Sequence, residues 1–140
     1  MKIMVAVDGS AISTRAVSFV VKLAKGLAQP PAITLVAVDL PLFPGAQRKL
    51  GEQAVAKYHA DNGERMLGPA RKVLAKAGLA HTEKSEVGEV ADTLLAVAKK
   101  GRQDLVVMGS HGRGAVKGMF LGSVSAKVVA QSTLPVTIVR

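Results

Sequence analysis

The residues best equipped for chemistry lie between Gly109 and Ser125, a stretch with five of the chain's 14 glycines (Gly109, Gly112, Gly114, Gly118 and Gly122) directly after the apolar run Leu105 to Met108. Glycine costs backbone entropy and is used where φ must be positive or where a ligand must come against bare main chain. A loop that leaves a buried strand and enters a helix opening at Gly122-Ser123 fits a bound phosphate, because the first N–H groups of a helix lack partners within it and carry partial positive charge. The hydroxyls of Ser123 and Ser125 can donate to phosphate oxygens beside their own N–H groups. Ser123 can also cap the helix. Arg113 and Lys117 add positive charge nearby, and His111 can reach a phosphate or face solvent. These residues predict a nucleotide cradle.

The two common phosphate-loop patterns are not met. A Walker loop needs Gly-x4-Gly-Lys, and Ala115 stands where the lysine belongs after Gly109 and Gly114. The dinucleotide fingerprint also fails, because Gly112 and Gly114 are followed by Gly118, one position late. What stands is Gly109-x2-Gly112-x9-Gly122-Ser123. A second polar cluster, Asp8-Gly9-Ser10, ends the first apolar run. Asp8 is an acceptor, misplaced against phosphate but suited to a ribose hydroxyl or an adenine amino group, or else to forming a turn. His59 and His81 belong to no ligand-like spacing and read as surface residues. Phe120 and Leu121 either cover the site or enter the core.

The elements that must position these clusters alternate between strand and helix. Lys2 to Val7 is a short β-rich run of the kind buried on both faces. Ser10 can cap a helix whose Ala16, Val20, Leu23 and Leu27 share one side, stopped by Pro30-Pro31. Ile33 to Val38 is a second buried strand, and residues 39 to 51, rich in proline, read as a mobile flap. Residues 52 to 77 form a helix with Val55, Tyr58, Met66, Ala70, Val73 and Ala77 inward and a kink at Gly68-Pro69. His81 to Val87 is polar enough for a strand at a sheet's edge. A helix over 89 to 100 presents Val90, Leu94 and Val97 inward, Leu105 to Met108 is a fourth strand, Ser123 to Ser132 a short helix, and Pro135 to Arg140 a fifth strand. Such alternation predicts a parallel sheet with helices on both faces, since each crossover needs a helix. With strand order 3-2-1-4-5, the winding reverses between strands one and four, and the two polar clusters face one crevice.

Composition bounds the function. At 140 residues and 14.5 kDa, residues 1–140 are expected to form one domain. The absence of cysteine excludes a disulfide framework and a thiolate metal site, which leaves the cytoplasm as the expected location. The opening residues meet Asp8 too soon for a signal-peptide core, and no run of about 18 apolar residues occurs, so no membrane association is expected. The net charge of +9 draws anions. Yet no basic run exceeds two residues, and the aromatics are only Phe19, Phe43, Tyr58 and Phe120. Stacking platforms for bases are therefore scarce, and nucleic acid is an unfavoured partner.

The glycine spacing, with the Asp8-Gly9-Ser10 strand end, the variable region after strand two and the closing Leu134-Pro135-Val136, resembles the ATP-binding branch of the universal stress proteins over essentially the whole chain. The resemblance implies an α/β fold of the adenine nucleotide alpha-hydrolase-like kind: a three-layer domain with a five-stranded parallel sheet, order 3-2-1-4-5. It implies ATP or another adenine nucleotide as ligand, with Mg2+ or Mn2+ held mainly by the phosphates. Adenine would lie near Asp8 and the backbone of Val38, ribose near Met108 and Gly109, and the phosphates at Gly112, Gly122, Ser123, Val124 and Ser125. Ala6, Val7, Ser10, His111 and Arg113 complete the candidate nucleotide-binding residues. A homodimer through strand five, Val136 to Arg140, is likewise implied.

Three functions are compatible with these residues. The favoured one is a regulatory protein of stress adaptation that senses or carries an adenine nucleotide, with slow or absent hydrolysis, because no residue that positions a nucleophile and no metal-holding set is evident. The alternatives are an ATP hydrolase or adenylyl-transferring enzyme on the same fold, and a basic nucleic-acid-binding module. A phosphorelay receiver is disfavoured, since strand one ends in a single Asp8 rather than an acidic pair.

Overall fold

A computed structural model of the chain describes residues 1–112, 114 and 120–140. Five strands, β1 (Lys2–Ala6), β2 (Ala32–Asp39), β3 (His81–Val87), β4 (Leu105–Gly109) and β5 (Val136–Val139), form one sheet in the order β3-β2-β1-β4-β5. All four pairings are parallel, with Lys2 opposite Ala32, Ile3 opposite Leu105, Ile33 opposite His81 and Val106 opposite Val136. The helices are α1 (Ala11–Lys25), α2 (Pro44–Leu50), α3 (Glu52–Lys76), α4 (Val90–Lys100) and α5 (Ser123–Gln131).

Side chains on a strand alternate between faces, so each central strand feeds two cores. Ile3, Val5 and Val7 join Leu35 and Val107 against α1 and α3, through Ala16, Val17, Val20, Met66, Leu67 and Leu74. Met4 and Ala6 join Val36, Val38, Val106 and Met108 against α4 and α5, through Ala91, Leu94, Val97 and Val128. The result is a three-layer α/β fold. Strands β1 and β4 are apolar on both faces because both are covered. Strand β3 has no fully buried residue, mixing half-buried and exposed positions, and forms one edge of the sheet.

Local details depart from the sequence expectations. Helix α1 ends at Lys25 with Gly26 as C-cap, ahead of Pro30-Pro31. The segment read as a flap contains α2, because Pro44 occupies the first helical turn, where its missing N–H has no intrahelical partner to lose. Helix α3 continues through Pro69, in keeping with the expectation that the proline does not break it. Its buried face is Asn62, Gly63, Met66, Leu67, Ala70 and Leu74, whereas Tyr58 and Ala77 are exposed.

His81 is not a surface residue but part of a network that ties α3 to the β3 edge. The Arg71 Nε and Nη2 atoms donate to the two Glu83 carboxylate oxygens at 2.8 and 2.7 Å, and Nη1 and Nη2 reach Glu64 at 3.0 and 3.1 Å. His81 Nε2 lies 3.0 Å from Glu83 Oε1. The Arg71 guanidinium, outweighing burial, holds the Glu83 carboxyl down at about 2 against 4.5 in an unfolded chain. A lowered folded value means this stabilisation is complete above the unfolded value and is lost as pH falls through the folded one. Wild type is therefore expected to exceed Glu83→Gln in urea stability by on the order of 1 kcal/mol at neutral pH. That gap should close between about pH 4.5 and pH 2.

Candidate functional site

The carboxyl ends of β1, β2 and β4 surround a cavity of about 490 Å³, within the range of roughly 300–1,000 Å³ usual for small-molecule sites. It lies where the winding of the sheet reverses between β1 and β4, the position at which open α/β sheets take ligands. Ala6, Val7 and Asp8 from β1 and its end, Val38 from β2, Met108 and Gly109 from β4, His111 and Gly112 from the following loop, and Gly122, Ser123, Val124 and Ser125 at the opening of α5 all line it. Ser10 is not among the lining residues. Its hydroxyl caps α1, accepting from the Ser13 N–H at 3.1 Å. Arg113, Lys117, Gly118 and Met119 lie outside the described residues.

Asp8 shapes the turn into α1 and also reaches the cavity. Its Oδ1 accepts from the Ser10 N–H at 2.9 Å, while a Cβ added to Gly112 would come within 2.9 Å of Oδ2. Glycine at 112 thus lets the loop after β4 close against the Asp8 carboxylate. At 122 the glycine meets the protein's own loop. A Cβ there would meet His111 Cα at 3.3 Å and Ser110 O at 3.5 Å, so the missing side chain admits the loop itself. The Gly122 N–H donates to Ser110 O at 2.7 Å, which fastens that loop to the mouth of α5.

The N-cap of α5 is Gly122 itself, not Ser123, and among the described residues no side chain caps the helix. The first amides of α5 therefore open on the cavity with no side-chain acceptor among the described residues. Ser123 is exposed and Ser125 buried. The Ser125 hydroxyl donates to Gly109 O at 2.9 Å, so its proton is committed to pinning α5 on β4 rather than to a ligand. His111 is half-buried, its Nδ1 3.0 Å from Ser110 Oγ.

The far end of the cavity is different in character and was largely missed in the sequence. Val36, Leu40, Val90 and Leu94 add an apolar wall beside Val38, and Met66, Ser13 and Gly114 complete the lining among the described residues. Beside that wall, on the opposite, α3-covered face of the sheet, stands Asp39, the last residue of β2, which also lines the cavity. His59 Nδ1 and Asn62 Nδ2 both donate to Asp39 Oδ2 at 2.7 Å, and Arg65 donates to Asn62 Oδ1. His59 is thus partnered and mostly buried rather than a surface residue. Burial pushes the Asp39 carboxyl up, but the hydrogen bonds from Asn62 and His59 outweigh it and leave it below its ordinary value. The only local hint was that His59 and Asn62 share a helix face at a spacing of three.

Fold and site together define a doubly wound α/β protein whose crevice joins the helix amides of α5, the Asp8 carboxylate beside them and an apolar wall that ends near Asp39. The chain belongs to the universal stress protein family, whose model matches residues 1–140. It is 33% identical to universal stress protein YxiE of Bacillus subtilis over 99% of this chain and 98% of that protein. It is 35% identical to a universal stress protein of Thermus aquaticus, over 99% and 97%. Among solved structures, a universal stress protein in complex with cAMP superposes with a TM-score of 0.71 at 26% identity, over 100% of this chain and 97% of that one. The Archaeoglobus fulgidus protein in complex with dAMP gives 0.73 at 20% identity, over 100% and 98%. An Arabidopsis thaliana family member with AMP bound gives 0.70 at 23%, over 99% and 90%.

Proposed function

We propose that this chain binds an adenine nucleotide, ATP foremost, in the cavity at the carboxyl ends of β1, β2 and β4, and works in the cytoplasm as a regulatory module of the stress response with slow or no hydrolysis. The observation that carries the reading is the union of uncapped α5 amides, Gly112 and Asp8 in one cavity at the switch point. Relatives in complex with cAMP, dAMP and AMP support adenylate as the ligand class. In this reading the phosphates meet the N–H groups of Ser123, Val124 and Ser125, and the base lies on the apolar wall near Val38. Among the described residues no group of three His, Cys, Asp or Glu is placed to hold a metal, so an accompanying Mg2+ or Mn2+ takes its ligands chiefly from phosphate oxygens and water. No described helix is long and apolar enough to cross a membrane.

Mass spectrometry of protein isolated gently and then denatured tests the ligand class. An adenine nucleotide at near-equal molar amount is expected. Protein that carries none and binds none in calorimetry would overturn the reading. The exposed edge of β5, with Val136 to Val139 all half-buried, fits the homodimer that the family resemblance implies. Light scattering at micromolar concentration is expected to give twice the 14.5 kDa chain mass, and a strictly monomeric mass would count against it.

A further inference from the structure

Asp39, a charged residue 13% exposed, lines the cavity from the α3-covered face of the sheet, next along β2 from Val38. Placing a carboxylate there is costly unless donors hold it, and three residues of α3 are arranged to do so. Arg65 donates to the Asn62 amide oxygen, which turns the Asn62 NH2 toward Asp39, and His59 supplies the second donor. His59 and Asn62 both bond Oδ2 and the Leu40 N–H also bonds the carboxylate, so it is fixed in orientation, and three donors leave part of the acceptor capacity of its two oxygens unused. The α5 mouth follows β4, while Asp39 ends β2, two strands away in the sheet. That separation is about 10 Å, which puts Asp39 at the end of the cavity remote from the phosphates.

We propose that Asp39 selects the nucleobase, its carboxylate accepting a hydrogen bond from the exocyclic amine of adenine and rejecting a base with a carbonyl at that position. This inference rests on the nucleotide reading and adds the group that discriminates. An ionised carboxylate only accepts hydrogen bonds, so an amine satisfies it, whereas the 6-carbonyl of hypoxanthine sets acceptor against acceptor and leaves both unpaired. The lowered pKa of Asp39 keeps it in the accepting form at neutral pH. His59 and Asn62 are positioning residues for it.

Calorimetric titration with ATP and with inosine 5′-triphosphate tests the assignment. Wild type is expected to prefer ATP by about a hundredfold. In Asp39→Asn, whose amide can donate to a carbonyl, that preference should shrink to within about threefold or invert. Asn62→Ala keeps the carboxylate but frees it, and should reduce the preference several-fold, which covers the case in which Asp39→Asn fails to fold. Full preference retained in Asp39→Asn, or in Asn62→Ala where Asp39→Asn does not fold, would overturn the proposal. So would its loss in Asp8→Asn alone. Wild type that binds both triphosphates equally overturns this inference while leaving nucleotide binding standing, whereas wild type that binds neither overturns both.

Discussion

Gly122→Val is expected to weaken adenylate binding by about a hundredfold, or roughly 2.7 kcal/mol, while the domain stays folded. Gly122 has φ −71° and ψ 162°, a backbone that any residue adopts, so the substitution brings no dihedral strain. The effect is one of space. A Cβ would sit 3.3 Å from His111 Cα and 3.5 Å from Ser110 O in the loop after β4, and the two valine methyls need further space beyond it. That loop is held to α5 by the Gly122 N–H on Ser110 O and carries Gly112, which faces Asp8. Moving it by the width of a methyl group separates the helix amides from the carboxylate end of the cavity. The α5 anchor Val128 is untouched, so melting should change little, with a cost of about 1 kcal/mol. Gly122→Ala should fall between, and calorimetry on the three proteins gives the series. An unchanged affinity in the valine variant would remove the α5 mouth from the binding site.

Gly9→Val is expected to be the most damaging substitution to stability outside the core, at about 3 kcal/mol or more in urea unfolding. Gly9 has φ +81°, which strains any L side chain and a β-branched one most. A Cβ there would also lie 2.9 Å from the Arg65 carbonyl oxygen and 3.4 Å from Met66 Cα. The Arg65 carbonyl is special because Pro69, four residues on, has no N–H to bond it. The turn after β1 therefore packs against the point where the proline leaves α3 without a hydrogen bond. Gly9→Ala should cost about 1–2 kcal/mol. In a Pro69→Ala background, which restores a donor for that carbonyl, the cost should fall by about 0.5–1 kcal/mol, the coupling expected of groups in contact. A Gly9→Val protein as stable as wild type would remove the close approach from the account.

What the sequence made legible follows from which forces act locally. The apolar runs at 3–7, 33–38 and 105–108 identified the central strands because burial on both faces leaves no alternation to misread. The polar run 81–87 identified an edge, and alternation of strand and helix then fixed a parallel sheet. Helix α2 was hidden because proline stops a helix in its interior yet starts one well at its first turn, and composition alone cannot tell the two. The inward face of α3 was misread at its ends. Tyr58 and Ala77 are exposed while Leu67 and Leu74 are buried, and residue types do not show where a long helix meets the sheet. At the site, the glycine spacing was visible in one dimension. The cluster of Asp39, His59 and Asn62 was not, because its members come together only when β2 and α3 pack.

The strand order also constrains how the chain reaches this state. β1 lies at the middle of the sheet; β2 can join one side of it as soon as residue 36 is available, but the other side pairs Ile3 with Leu105. The Lys2 N–H likewise bonds the Asp104 carboxylate across 102 residues. On a ribosome, a nascent chain shorter than this carries Ile3, Met4 and Val5, each fully inaccessible in the finished protein, along an open backbone edge. Contacts of such long sequence separation slow folding, so the nascent chain should stay sensitive to protease and attractive to chaperones until β4 emerges, then gain resistance in a single late step.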